Sequence, residues 1–212
     1  IKVLPGGRLG AHWVQRHGPG TFTYGVRIAQ SKDNGVTWSK PVTPHRDSSL
    51  TEHGFVAMWP EGDGVGAVWL DGRKFTKEGH NVANEMTLMS TTIGANGARG
   101  PEVLLDERTC DCCQNAAAVT TNGPIVAYRN RSPDEIRDIY VTRRVAGKWS
   151  VGVPVHDDRW HIAACPVNGP SLAARGSRVA LAWFTAAGDS ARVNLVFSDD
   201  AGATFTAPKR VD

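Results

Sequence analysis

Apolar residues in this chain fall in short runs separated by Gly-rich turns, and the runs repeat. An aromatic-bearing run recurs as Ala11–Val14, Ala67–Leu70, Ile125–Tyr128 and Leu181–Phe184, with its ring at 13, 69, 128 and 183. Each follows a second apolar run across a turn: Ile1–Leu4, Phe55–Trp59, Ala116–Thr120 and Ser171–Ala174. The turns Pro5-Gly6-Gly7, Gly62-Asp63-Gly64, Asn122-Gly123-Pro124 and Gly176-Ser177 carry the residues that tight hairpins select. A third run ends at Ser31, Ser90, Thr142 and Ser198. A short fourth one follows at Lys40–Val42, Pro101–Leu105, Val153–Val155 and Ala207–Val211. Four strands per unit of roughly 55 residues is the blade of a β-propeller. The prediction is an all-β chain, a β-propeller of four-stranded antiparallel blades. Its repeats run approximately over 1–45, 53–107, 112–158 and 168–212, in a single propeller region 1–212. They make either a compact four-bladed propeller or part of a six-bladed one. A β-sandwich would not keep three landmarks in phase over four units.

Two turns are specific. Ser31-Lys32-Asp33-Asn34-Gly35-Val36-Thr37-Trp38 and Ser198-Asp199-Asp200-Ala201-Gly202-Ala203-Thr204-Phe205 share the pattern S-x-D-x-G-x-T-[WF]. Asp33 and Asp200 are placed to accept backbone N–H groups of their own turns. Gly35 and Gly202 suit the left-handed conformation, and Trp38 and Phe205 are expected to pack as apolar plugs. The pattern resembles the Asp box (BNR repeat) of the sialidase-like propellers. Remnants stand at Ser90–Gly94 and Thr142–Trp149. In that family the boxes lie on the blade periphery, so Asp33 and Asp200 should be remote from any pocket.

The chain also resembles bacterial exported sialidase-like proteins in Thr51–Phe55, Trp69–Arg73, Cys110–Gln114 and Cys165–Pro170. The resemblance implies a periplasmic or extracellular protein that recognises an anionic glycan and possesses, in one reading, glycosidase activity. The alternative is a non-catalytic binding or scaffold propeller, metal-dependent through a Cys/His cluster. True sialidases carry three arginines, an R-I-P segment, an acidic Asp and a Tyr–Glu pair. Here Arg27-Ile28-Ala29 lacks the Pro, and no Tyr–Glu pair is identifiable from the sequence.

Charge narrows the partners. The 24 basic and 21 acidic residues are scattered, so no nucleic-acid footprint exists, and no apolar run is long enough for a membrane helix. A carbohydrate or other anionic small molecule remains the expected ligand.

Candidate chemistry should lie just before first strands and just after second strands. Convergent arginines grip a carboxylate through paired donors, which singles out Arg73, Arg129 and Arg131, with Asp71 as the acid. Glu52, His53, Glu135 and Arg137 are candidate binding residues, and Tyr128 or Tyr140 a candidate nucleophile. Ion pairing among the alternating charges at 129–138 is the competing reading. His161 approaches the same loops, His12 sits in a second strand, and His17, His45, His80 and His156 read as loop residues. Cys110, Cys112, Cys113 and Cys165 are disulfide or metal candidates, Cu(I) or Zn(II) being the soft metals they suit. Cys113 and Cys165 stand 52 apart, close to one blade, which favours that pair for a bridge.

Overall fold

The computed structural model describes residues 1–75 and 85–212; His80, read as a loop residue, lies outside the described residues. The described residues form no α-helix, and no helix is long and apolar enough to cross a membrane. The chain divides into two compact units, Ile1–Glu107 and Arg108–Asp212.

Unit 1 holds two antiparallel sheets. The first is β1 (Lys2–Val3), β2 (Leu9–Arg16) and β3 (Tyr24–Ser31), with Val42 bridging to Ile28 where a fourth strand was expected. The second is β4 (His53–Glu61), β5 (Gly64–Asp71), β6 (Met86–Ile93) and β7 (Val103–Thr109). Val26 and Ile28 of β3 pack with Val56, Met58, Val65, Trp69 and Met89 in one core. Every residue of β5 is buried. At Gly66 the ring of Trp59 lies against the backbone and leaves no space for a Cβ.

Unit 2 holds the other two sheets. One runs β8 (Ala116–Thr120), β9 (Gly123–Arg129), β10 (Ile139–Val145) and β11 (Lys148–Trp149), with β12 (Val153–Pro154) also on β10. The other runs β13 (Ser171–Arg175), β14 (Arg178–Thr185), β15 (Arg192–Ser198) and β16 (Lys209–Arg210). Ile125, Ile139, Val141, Leu181, Trp183 and Val196 make its core. These are propeller blades: consecutive strands, each antiparallel to the last.

The two S-x-D turns are near copies. Asp33 Oδ1 accepts the Thr37 amide at 2.8 Å and Oδ2 the Thr37 hydroxyl at 2.6 Å. Asp200 receives the same pair from Thr204 at 2.9 and 2.6 Å. Ser31 Oγ and Ser198 Oγ accept the amides of Gly35 and Gly202, whose φ values are 90° and 80°. Three expectations are corrected. Trp38 is not a buried plug: it is 40% exposed, and its Nε1 donates to Gly35 O, so its ring lies over its own turn. The second turn is not remote from a cavity, since Asp200, Thr204 and Phe205 line a surface depression of about 370 Å³. Third strands do not end at Ser90 and Thr142. Lacking an Asp to gather the turn's donors, β6 and β10 continue to Ile93 and Val145.

Antiparallel succession sorts each sheet into two rims. Starts of first and third strands and ends of second strands share one rim; the hairpin tips and S-x-D turns take the other. Nearly all the candidate chemistry sits on the first rim.

Candidate functional site

In unit 1 the rim is built around Asp71, the last residue of β5 and fully buried. Its carboxylate accepts Trp69 Nε1 at 2.8 Å, the Arg73 amide at 3.0 Å, and Arg73 Nε and Nη2 at 2.8 Å each. Arg73 also reaches Glu102 at 3.3 Å. Burial pushes the Asp71 carboxyl up, but Arg73, His53 and Trp69 outweigh it and hold it below the ordinary carboxylate range. A general acid needs a raised pKa, so Asp71 is corrected from acid to anchor.

His53 opens β4 and is also fully buried. Its Nδ1 faces Thr51 O at 3.2 Å, and its Nε2 lies 3.1 Å from Asp47 Oδ2 and 3.5 Å from Asp71 Oδ1. The His45 ring stacks on it at 4.0 Å. His45 Nδ1 bonds Asp47 O, and its Nε2 accepts the Val26 amide, which fixes a neutral tautomer. Burial and the neighbouring His53 lower the His45 pKa to about 4. His45 is thus a loop residue, as expected, but one whose ring is packed into the interior. Gly25 admits this ring, because a Cβ there would meet His45 Nε2 at 2.8 Å.

The unit also holds a pair that the sequence did not reveal. Tyr24, first residue of β3, donates its hydroxyl to Glu52 Oε1, just before β4. Burial and the Glu52 carboxylate keep the phenol proton in place well beyond ordinary pH. Tyr128, by contrast, is wholly buried in the core, which removes it as a nucleophile.

Unit 2 collects arginines. Arg129, ending β9, is 2% exposed; it donates to Asn168 O, Arg137 O and Phe184 O at 2.8, 2.6 and 2.9 Å and lies over Trp160. Spent on backbone carbonyls, it is corrected from substrate clamp to structural cation. Glu135 gathers three guanidiniums: Arg131 and Arg137 at 2.8 Å and Arg108 at 3.3 Å. Hydrogen bonds from Arg131 and then Arg137 outweigh burial and lower its pKa to about 2. Asp111 lies 3.4 Å from Arg137 and 3.9 Å from Arg131. Asp138 is buried, accepts the Arg159 and Trp160 amides at 2.9 and 3.0 Å, and has its pKa raised chiefly by burial.

The cysteines share this rim. Cys112, not Cys113, bridges to Cys165, with Cα atoms 6.1 Å apart. Blade spacing pointed to the right region but missed by one residue, and Cys113 is buried beside Cys110 at 2.8 Å between sulfurs.

No family model matches the chain, and no curated protein matches it. Solved structures do. A xylan β-1,4-xylosidase from Bacillus halodurans C-125 superposes with TM-score 0.54 at 12% identity, over 94% of this chain and 39% of its own. A PL25 ulvan lyase bound to -[GlcA(1-4)Rha3S]- gives TM-score 0.57 at 14% identity, over 96% and 53%. Trypanosoma rangeli sialidase in complex with the inhibitor DANA gives 0.57 at 15% identity, over 94% and 36%. The chain spans 39% to 53% of the length of the first two. At such identities the likeness establishes a β-propeller fold.

Proposed function

We propose that this is a sialidase-like, exported propeller region that recognises an anionic glycan, with the arginine cluster of unit 2 as its carboxylate grip. The observation that carries this reading is the set Arg108, Arg131 and Arg137 around Glu135. Three planar, permanently charged donors already hold a carboxylate. Glu135 stands where a sugar carboxylate would stand, and a ligand binds by displacing it. In this reading Arg137 is a binding residue, Arg131 is a binding rather than a catalytic residue, and Glu135 is the internal competitor rather than a ligand contact. The neighbours described as a sialidase and as an ulvan lyase are in keeping with a glycan ligand.

The test is binding of sialyl- and uronate-terminated oligosaccharides by calorimetry. Arg131→Lys should weaken binding about tenfold or more, since a lysine gives a point charge in place of a fork. Glu135→Gln should strengthen it by weakening the internal competitor. Unchanged affinity in both variants overturns the reading.

Hydrolysis is a second reading, favoured by the Tyr24–Glu52 pair. A phenol whose proton passes to an adjacent carboxylate during attack is an activated nucleophile, and the pair matches the one expected of sialidases. Turnover of a fluorogenic sialoside that Tyr24→Phe abolishes without lowering the melting temperature would establish it. No turnover by the unaltered chain leaves the binding reading alone.

A further inference from the structure

Four cysteines meet on the unit 2 rim in two states. Cys112–Cys165 is a disulfide whose Cys165 end is exposed, while Cys110 and Cys113 are free and buried. The free pair is spaced C-x-x-C, with sulfurs 2.8 Å apart. Cys110 Sγ lies 3.9 Å from Cys112 Sγ, one member of the disulfide. Arg137 Nη1 donates to Cys110 Sγ at 3.3 Å. A thiol beside a guanidinium and a second thiol donor is the arrangement that stabilises a thiolate.

We propose that this cluster is a thiol–disulfide exchange centre, in which the buried Cys110/Cys113 pair passes two electrons through the exposed Cys112–Cys165 disulfide to a disulfide of an outside molecule. The Cys110 thiolate attacks Cys112 Sγ; the Cys110–Cys112 bond forms, the Cys112–Cys165 bond breaks, and Cys165 leaves as thiolate. Cys113 then attacks Cys110 Sγ, forming Cys110–Cys113 and releasing Cys112 as thiolate. Exposed Cys165 attacks the outside disulfide and expels one thiolate. Cys112 displaces the other and restores Cys112–Cys165. The outside disulfide gains two electrons and, as its thiolates are protonated, the two protons that Cys110 and Cys113 gave up. The buried pair ends as a disulfide.

The chemistry of each group supports this order. Hydrogen bonds from Cys113 and Arg137 outweigh burial and lower the Cys110 pKa, while donation to Cys110 and burial raise that of Cys113. Cys110 is thus the attacking sulfur and Cys113 the resolving one. Burial bars the pair from direct attack on a bulky disulfide, so the exposed Cys165 is the outlet.

The experiment mixes native, non-reduced chain with dithiobis-nitrobenzoate, an aromatic disulfide whose released thiolate absorbs visible light. The expected result is two thiolates released per chain, with Cys110–Cys113 and Cys112–Cys165 both found as disulfides by peptide mapping. Cys112→Ser/Cys165→Ser should slow release by about tenfold or more, because the remaining thiols are buried. Release at an unchanged rate in that variant, or none from the native chain, overturns the proposal. That variant loses a staple and can open, so a second measurement uses the unaltered chain. Acid quenching during the reaction should trap an aryl adduct on Cys165; an adduct on Cys110 alone overturns the relay.

Discussion

Asp71 and Arg129 occupy the same place in their sheets, the last residue of the second strand, and carry opposite charge. Both are almost wholly buried. Asp71 accepts four hydrogen bonds from Trp69 and Arg73. Arg129 donates to three carbonyls. One rim is thus organised around a buried anion and the other around a buried cation. Each charge is tolerated because its donors or acceptors are built into the chain around it, as burial of an ion demands. The remaining groups follow the sign of the centre: imidazoles and an arginine gather by Asp71, carbonyls and an indole by Arg129. The same blade position can therefore host opposite chemistry without a change in strand pattern.

The harshest test of that symmetry removes the cation. Arg129→Met should destabilise unit 2 by about 3 kcal/mol or more, as charged hydrogen bonds to three carbonyls are lost. Urea unfolding followed by amide exchange in β10 measures it. A neutral effect would mean that Arg129 fills space and does not organise the rim.

Acid should separate the two rims next. Protonating His45 Nε2 breaks its bond from the Val26 amide. Its folded pKa is lowered from 6.5 to about 4, so this stability is complete above the unfolded value and is lost as pH falls through that interval. For Glu135 the lowering is from 4.5 to about 2, so its contribution is lost only below the unfolded value. At about pH 5, β3 should lose exchange protection before β10, once intrinsic rates are corrected for. The reverse order would break the comparison.

The smallest effect concerns the two S-x-D turns, one in each unit. Asn34 and Ala201 hold the same position with φ of 56° and 60°. Asn tolerates that region and Ala does not. Ala201→Gly should therefore stabilise by about 0.5 kcal/mol, relief of strain less the entropy of Gly, while Asn34→Gly should do no better than break even. Paired thermal melts decide it.

The strands were legible because turns and apolar runs are local: β8 spans Ala116–Thr120, the run read from the sequence, and each aromatic position falls inside a second strand. Asp71 and Arg73 were legible as neighbours at the end of a second strand, but they were read there as acid and clamp, not as the ion pair they form. Tyr24 and Glu52 were not, because two sheets must come together before residues 28 apart touch. Alternating charge at 129–138 suggested ion pairs but could not tell that Glu135 collects three arginines, one of them 27 residues away. The bridge was missed by a single residue, a slip that exchanges a half-buried sulfur for a fully buried one.

Gly66 and the ring of Trp59 have a bearing on how this protein can diverge. The strand β5 is buried along its whole length, and at Gly66 even a methyl group has nowhere to go. In a library of all single substitutions sorted for surviving expression, position 66 should come back empty. Asp63, at the hairpin tip just before β5, should accept most replacements. Lineages descended from such a sequence would drift in their turns and keep this stretch nearly frozen, so the oldest signal of common ancestry would lie in the packing of a buried strand.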